Sequence, residues 1–300
     1  MCRIMGTMKS FVTLFCFILI LNVTSRSQIQ FIRRISPFPD PQGAEFTSIA
    51  VSQFGDIYLL EKKRDEIYRL NEDGIILNVN GGFGWGEGQF DTPMDISMAS
   101  GLDLIVADYN NHRIVRFDRS LNYITTYPNL RNDFQIFFPR SVILSNLGEI
   151  FILDDENSEI IRLNAQQGDL SVFAGIEYDN YALREPRLIR LSPAGLITVL
   201  ESHNRILQFD RFGSPLSIIK VPAESALNDL ILIEEDFLIL LEKEPFLMLY
   251  SKNLTRWTTP VIVGLEKESP FIAGTYTRQQ LYLLEQSGDI IVCSVARKSR

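Results

Sequence analysis

Six acidic residues recur at nearly constant spacing along the 300-residue chain: Glu61, Asp108, Asp154, Glu201, Glu242 and Glu285. Each follows an apolar run and precedes a short polar turn. Were the six carboxylates to converge, they would form a calcium site or a general-base cluster, since hard oxygen ligands suit that chemistry. The competing reading is structural. An acid that ends a strand accepts backbone N–H groups across the following turn. It also pairs with a turn cation, as Asp108 would with Arg113 and Glu201 with Arg205. The turn context favours this structural role. No metal or cofactor is therefore expected, and calcium is the one ion the pattern leaves open.

The other reactive residue types are few. His112 and His203 fall in turns that the sequence aligns with each other. Ser202 beside His203 cannot act as a nucleophile with its base, because adjacent side chains do not aim at one another. No catalytic residue is assigned. With 2 His and 3 Cys in the chain, zinc chemistry has almost nothing to work with. Gly82, Gly84, Gly86 and Gly88 suggest a phosphate-cradling loop, which needs a helix to open after it. Here Phe90 and Pro93 lead into a strand instead, so the glycines read as a turn.

Composition narrows the class further. The chain is 46% hydrophobic and 22% charged, with a net charge of −8, which is the balance of a folded body rather than a disordered one. Arg3, Lys9 and Arg26 carry the only charges of residues 1–27, so the remainder is more acidic still. An acidic body is a poor match to phosphate backbones and anionic lipid. Nucleic acid and stable membrane insertion are accordingly not expected.

Residues 1–27 read as a signal peptide: Arg3 and Lys9 precede an apolar run at 11–23, and Ser25 and Ser27 stand three residues and one residue before a cut ahead of Gln28. The run is shorter than the roughly 20 residues of a spanning helix. Cys2 and Cys16 would leave with it, and Cys293 remains alone. An exported protein of the periplasm, cell surface or extracellular space follows, held by its core rather than by disulfides.

The elements that position all these residues come from a repeat. The acids are spaced by 47, 46, 47, 41 and 43 residues. Around each, an apolar run, a polar turn and a second apolar run recur, as in LIVADYNNHRIVRFD from Leu104 and IFILDDENSEIIRLN from Ile150. A strand precedes each pair (PMDISM from Pro93) and another follows it (NYITTY from Asn122). Four short strands per unit, six units and no helical periodicity after the leader give an all-β fold, the six-bladed β-propeller with four-stranded antiparallel blades. Blades are expected near 46–81, 90–127, 138–175, 184–221, 227–263 and 268–300. The last unit stops one strand short, so the segment 28–36 should join it as outer strand and close the ring.

The second unit is the most specific. GFGWGEGQFDTPMDISMASGLDLIVADYNNHRIVRFD from Gly82 resembles the NHL repeat, through Gly86 to Phe90, Pro93, Val106-Ala107-Asp108, Asn111-His112-Arg113-Ile114 and Phe117. The fourth unit keeps His203-Asn204-Arg205-Ile206 and Phe209. The resemblance implies the fold and a binding scaffold, and no particular activity, because propellers host both platforms and enzymes. In such a ring the inter-blade connections share a face with the second-to-third-strand turns. Phe83, Trp85, Phe90, Phe134, Phe137, Phe138, Tyr178 and Tyr181 lie in these connections, and Tyr109 lies in a turn. Aromatics among polar residues suit a protein or glycan contact. Trp85, Phe137, Tyr181 and Tyr109 are therefore the candidate binding residues of a monomeric, non-catalytic propeller. The alternative is a gluconolactonase-like hydrolase or lyase with a divalent metal in the channel. The first strands offer that reading little beyond Asp95 and Asn228-Asp229.

Overall fold

A computed structural model of the chain describes residues 29–38, 43–99, 103–127, 136–164, 169–175 and 179–296. The leader expected at 1–27, Phe134 and Tyr178 lie outside these residues. Six sheets are present, and in five of them four strands follow one another in sequence order. Blade one runs from its inner strand Phe46–Val51 through Ile57–Glu61 and Glu66–Leu70 to the outer Ile76–Gly81, all antiparallel. Blades two to five occupy 93–127, 139–174, 186–220 and 227–258, and blade six begins at 271. The six inner strands touch in cyclic order, the sixth returning to the first. The chain is a six-bladed β-propeller.

Burial explains the sequence pattern strand by strand. A second strand is covered by a blade on each side, so both of its faces are apolar; all five residues of Ile57–Glu61 and of Ile197–Glu201 are buried. The outer strands meet solvent, and Pro215–Lys220 alternates half-buried and exposed residues. Six apolar clusters fill the gaps between neighbouring blades. Tyr58, Leu60 and Ile67 of blade one, for example, pack on Ile96, Leu104 and Val106 of blade two. The second-to-third-strand turns of blades one to four all end on a left-handed residue: Asp65, His112, Ser158 and Asn204, with φ of 58°, 54°, 51° and 57°. Such values are uncommon outside glycine, and the repetition marks one shared turn geometry.

Closure uses the N-terminal strand. Ile29–Ile35 pairs antiparallel with the last strand Ile290–Val295, placing Ile29 opposite Val295 and Ile35 opposite Ile290. The outermost edge of this blade departs from the expected boundaries. Ile262–Val263, read from sequence as the end of blade five, pairs parallel with Ile29 and Gln30 and so becomes a fifth strand of blade six. The outer strand of blade five is only Arg256–Thr258, which frees the following residues to cross over. Cys293 is a free thiol buried in the last strand, and burial pushes it up to about 12. Among the described residues no helix is long and apolar enough to cross a membrane.

Candidate functional site

Every inner strand carries the same irregularity. The ladder between first and second strands slips by one residue after Phe46, Pro93, Pro139, Pro186, Leu227 and Phe271. A bulge leaves one residue without a cross-strand partner and re-aims its side chain. Those residues are Thr47, Met94, Arg140, Arg187, Asn228 and Ile272, and all six line a cavity of about 220 Å³ at one mouth of the central channel. The mouth opens at the start of the first strands. Antiparallel pairing puts the second-to-third-strand turns at the same end, so the mouth shares its face with Tyr109 and the inter-blade connections.

Below this ring an ion network crosses the channel. Arg190 of blade four donates to Asp229 of blade five at 2.8 Å and to Asp95 of blade two at 3.3 Å. The hydroxyls of Ser48 (blade one) and Ser141 (blade three) donate to Asp95 at 2.8 and 2.6 Å. The Gly274 N–H of blade six donates to Asp229 at 2.9 Å. All six blades thus meet through one hydrogen-bonded system. Burial opposes the Arg190 charge, but the attraction of Asp229 and Asp95 outweighs it and holds the guanidinium above its ordinary pKa. Arg190 also lines the second cavity, of about 460 Å³, whose walls are largely the apolar ends of the inner strands.

The repeated acids do different work. Asp108 is fully buried and accepts the Asp91 N–H at 2.8 Å, the Asn111 amide at 2.8 Å and the Arg113 Nε–H at 2.7 Å. Burial pushes its carboxyl up, against the pull of these three donors. Glu61, Asp154 and Glu201 accept in the same way from the N–H of Glu45, Phe137 and Arg184, at 2.5, 2.6 and 2.7 Å. Arg205 pairs with Glu201 at 3.3 Å. Glu285 holds the Ser269 hydroxyl at 2.7 Å and Arg34 of the N-terminal strand at 2.6 Å. Each of these acids ties an inter-blade connection or the closing strand to its own turn. Among the described residues no three His, Cys, Asp or Glu side chains gather into a group that could hold a metal.

Two sequence alignments need correction. Glu242 is exposed, and the residue paired with the start of its inner strand is Leu241, buried where the other blades carry the acid. The strand ends one residue earlier than the spacing suggests, so the fifth acid falls just outside the latch. The position equivalent to His112 is Asn204, since each precedes the first residue of a third strand and each is left-handed. His203 stands one residue earlier, largely exposed, because the blade-four turn is one residue shorter.

The latch on Asp108 yields a first expected result. Asp108→Asn keeps one acceptor but loses the charge and should destabilise by about 2–3 kcal/mol, the scale of hydrogen bonds to a charged group. Denaturant unfolding measures this, and millimolar calcium should leave the parent's midpoint unchanged. An undiminished midpoint in the variant would remove the latch from the account.

The aromatic candidates separate into two kinds. Trp85 and Phe83 stand 66% and 70% exposed. The loop that bears them is fixed from below, since Arg113 donates to the carbonyls of Trp85 and Gln89 at 2.8 Å and Asn111 to that of Gly84 at 2.8 Å. Gly84, at φ +151°, holds a backbone conformation that other residues rarely adopt, and a Cβ there would displace the end of the Gln89 side chain, 2.4 Å away. Tyr109, Phe137 and Phe138 are half-buried. The Tyr109 hydroxyl donates to Asp155 at 3.0 Å, its ring lies 5.1 Å from that of Phe138, and His112 contacts the Phe137 carbonyl. Tyr181 packs against the apolar cluster of Phe173, Leu183 and Ile189 between blades three and four.

Arg140, Arg187 and Arg190 escaped sequence reading. The signal for the first two lies in the repeat itself: the residue after each inner-strand start forms a column that reads Thr, Met, Arg, Arg, Asn, Ile. Their position also corrects the inference from total charge. A net charge of −8 says nothing about a mouth where three guanidinium groups collect, so it does not exclude nucleic acid from this face.

Comparisons with known proteins agree with this architecture. The NHL repeat matches residues 90–117, from Phe90 to Phe117. Protein brain tumor of Drosophila melanogaster is 31% identical over 139 residues, which cover 45% of this chain and 13% of that protein. The chain thus spans a small fraction of the length of this curated relative. A catalytically inactive virginiamycin B lyase from Staphylococcus aureus, solved with quinupristin, superposes over 90% of this chain and 100% of its own, with a TM-score of 0.62 and 12% identity. A streptogramin B lyase gives 0.60 at 16% identity, covering 87% of this chain and 81% of its own. At such identities the two structures show the fold alone. The chain is thus a closed six-bladed β-propeller whose second blade carries an NHL repeat.

Proposed function

We propose that the chain is an exported, non-catalytic binding propeller whose partner is a protein docking on the face shared by the channel mouth, the turns and the inter-blade connections. The observation that carries this reading is the presentation of Trp85 and Phe83. Two large exposed aromatics two residues apart on one loop form the kind of apolar patch that marks an interaction site. Here they sit on a loop stapled by Asn111 and Arg113 of blade two rather than on a slack one. A rigid aromatic anchor loses little entropy on binding and concentrates interface energy. The chemistry of the channel supports binding over hydrolysis, since the two channel carboxylates, Asp95 and Asp229, are already saturated by Arg190, two hydroxyls and backbone N–H groups. The acid-poor, cationic start of residues 1–27 supports export.

Capture from native secreted or envelope material, with the chain from residue 28 as bait, tests the proposal. A protein retained by the parent should bind about thirtyfold more weakly with Trp85→Ala, the loss of an interface anchor of about 2 kcal/mol. The melting temperature should stay within about 2 °C, as for an exposed substitution. Recovery of the same proteins at the same yield by the variant refutes the face. Finding residue 28 at the N-terminus of the natural protein by mass spectrometry checks export in the same material, and an intact leader refutes it.

A further inference from the structure

The channel mouth contains a cation with no counter-ion among the described residues. Arg140 is paired with Asp155 at 2.9 Å, and Arg190 with both Asp229 and Asp95. Arg187 makes no ion pair among the described residues; one of its N–H groups reaches the Leu227 carbonyl at 2.5 Å. Burial and the neighbouring Arg140 both push its pKa below the ordinary value, with Asp229 and Glu242 pulling weakly the other way. An arginine remains charged through such a shift. Three guanidinium groups therefore line one cavity, and that of Arg187 has no counter-ion among the described residues. For folding alone this arrangement is unfavourable, and a neutral residue at 187 would serve as well.

The shape of the cavity restricts what could complete it. Its volume of about 220 Å³ is below that of pockets for whole drug-sized ligands, which start near 300 Å³. It suits the end of a side chain or of a polypeptide. Besides the arginines the lining includes apolar Met94, Ile272 and Phe46, while its two carboxylates, Asp95 and Asp229, are already held by Arg190. The Thr47 hydroxyl in the same wall is buried without a hydrogen-bond partner among the described residues, which is uncommon in folded proteins. One unneutralised guanidinium calls for a monoanion, and a dianionic phosphate would overshoot the charge. A carboxylate also matches the planar fork of arginine.

We propose that the channel mouth is a carboxylate site, in which Arg187 assisted by Arg140 receives one carboxylate group carried by a peptide. The inference rests on the reading of this face as a protein-binding surface and adds what the partner must offer: an acidic side chain, or a free chain terminus, inserted at the axis.

Small probes test it without the partner. The arginine Nε–Hε resonances are followed by NMR during titration with N-acetyl-glutamate α-amide, N-acetyl-dialanine, the C-terminal amide of that dipeptide, and inorganic phosphate. One of the two carboxylates should bind saturably, with a Kd on the order of 1 mM for so small a ligand. The tighter of them identifies side chain or terminus as the source, and the amide should not bind. Arg187→Gln should weaken binding by about tenfold or more, as expected for loss of a charge-assisted contact. Arg187→Lys should fall between the two, and its preserved charge keeps the test sound should the glutamine variant fold poorly. Equal binding by parent and Arg187→Gln, no saturation by either carboxylate, or phosphate binding tighter than both would overturn the proposal. Because these probes touch only the mouth, a failure here leaves the Trp85 capture result standing, and a failure of that capture leaves the titration interpretable.

Discussion

A chain lacking residues 28–35 does not hold the propeller together. The strand lost is the one that closes blade six, and it brings Ile29 and Ile35, 1% and 4% exposed, into the cores on its two sides. Buried isoleucines contribute about 2–5 kcal/mol each when truncated, and whole domains are stable by only about 5–15 kcal/mol. The deletion also leaves Ile290–Val295 and Ile262–Val263 without their partner and releases Arg34 from Glu285 and Asp289. The expected outcome is loss of the cooperative thermal transition, restored in part by adding the strand as a separate peptide. Ile32→Ser in the same strand is the control. Ile32 is 45% exposed, so that change should shift stability by less than about 0.5 kcal/mol. A deletion variant that melts cooperatively near the parent would show that the ring closes without its N-terminal strand.

The second large effect belongs to Arg190. Replacing it with methionine leaves Asp95 and Asp229, 7% and 3% exposed in their side chains, facing each other's charge without a counter-ion. Breaking a buried pair from one side costs about 3–5 kcal/mol, which for a domain of this size is roughly 10 °C in Tm. The sign of the pH dependence is fixed. An unpaired buried carboxylate titrates above its unfolded value, so its stabilising contribution is present at low pH and lost as pH rises through the folded pKa. Burial already holds the Asp229 carboxyl above its ordinary pKa, so the deficit of Arg190→Met should be widest at neutral pH and narrow as pH falls and this carboxyl takes up a proton. Adding Asp95→Asn and Asp229→Asn removes the stranded charges while keeping acceptors for Ser48, Ser141 and Gly274, and should recover at least half the loss. A single variant that melts within about 2 °C of the parent, at every pH, would show the network to be ornamental.

How far the sequence reached can be traced along single columns of the repeat. The apolar runs are legible because a second strand such as Ile57–Glu61 is covered on both faces and must be apolar throughout. The acids are legible because a buried carboxylate at a strand end can be satisfied only by the next turn, which fixes its place in each unit. Where a turn changes length, the column slips. Glu242 and His203 each lie one residue away from the true equivalents, Leu241 and Asn204, and only the pairing register shows it. The exposed Trp85 was readable from the glycine-rich loop, but the packing of Tyr181 into the cluster of Phe173 and Leu183 was not.

The sequence by itself determined the number of blades, the strand order within them and the need for an N-terminal strand to complete the last one. These depend on periodicity and on chain length, both of which are local or additive properties. The tertiary structure alone decided which residues face the axis. The repeat places Asp95 and Asp229 on inner strands, but Arg190, 95 and 39 residues away from them, carries no local pattern that marks it as their shared partner. They meet because closure of the ring brings six inner strands to one line, and because a bulge repeated in each strand turns the residue after its first position into the mouth. A bulge depends on the partner strand and on the ring around it, so its effect on Arg140 and Arg187 appears only once all six blades are in place.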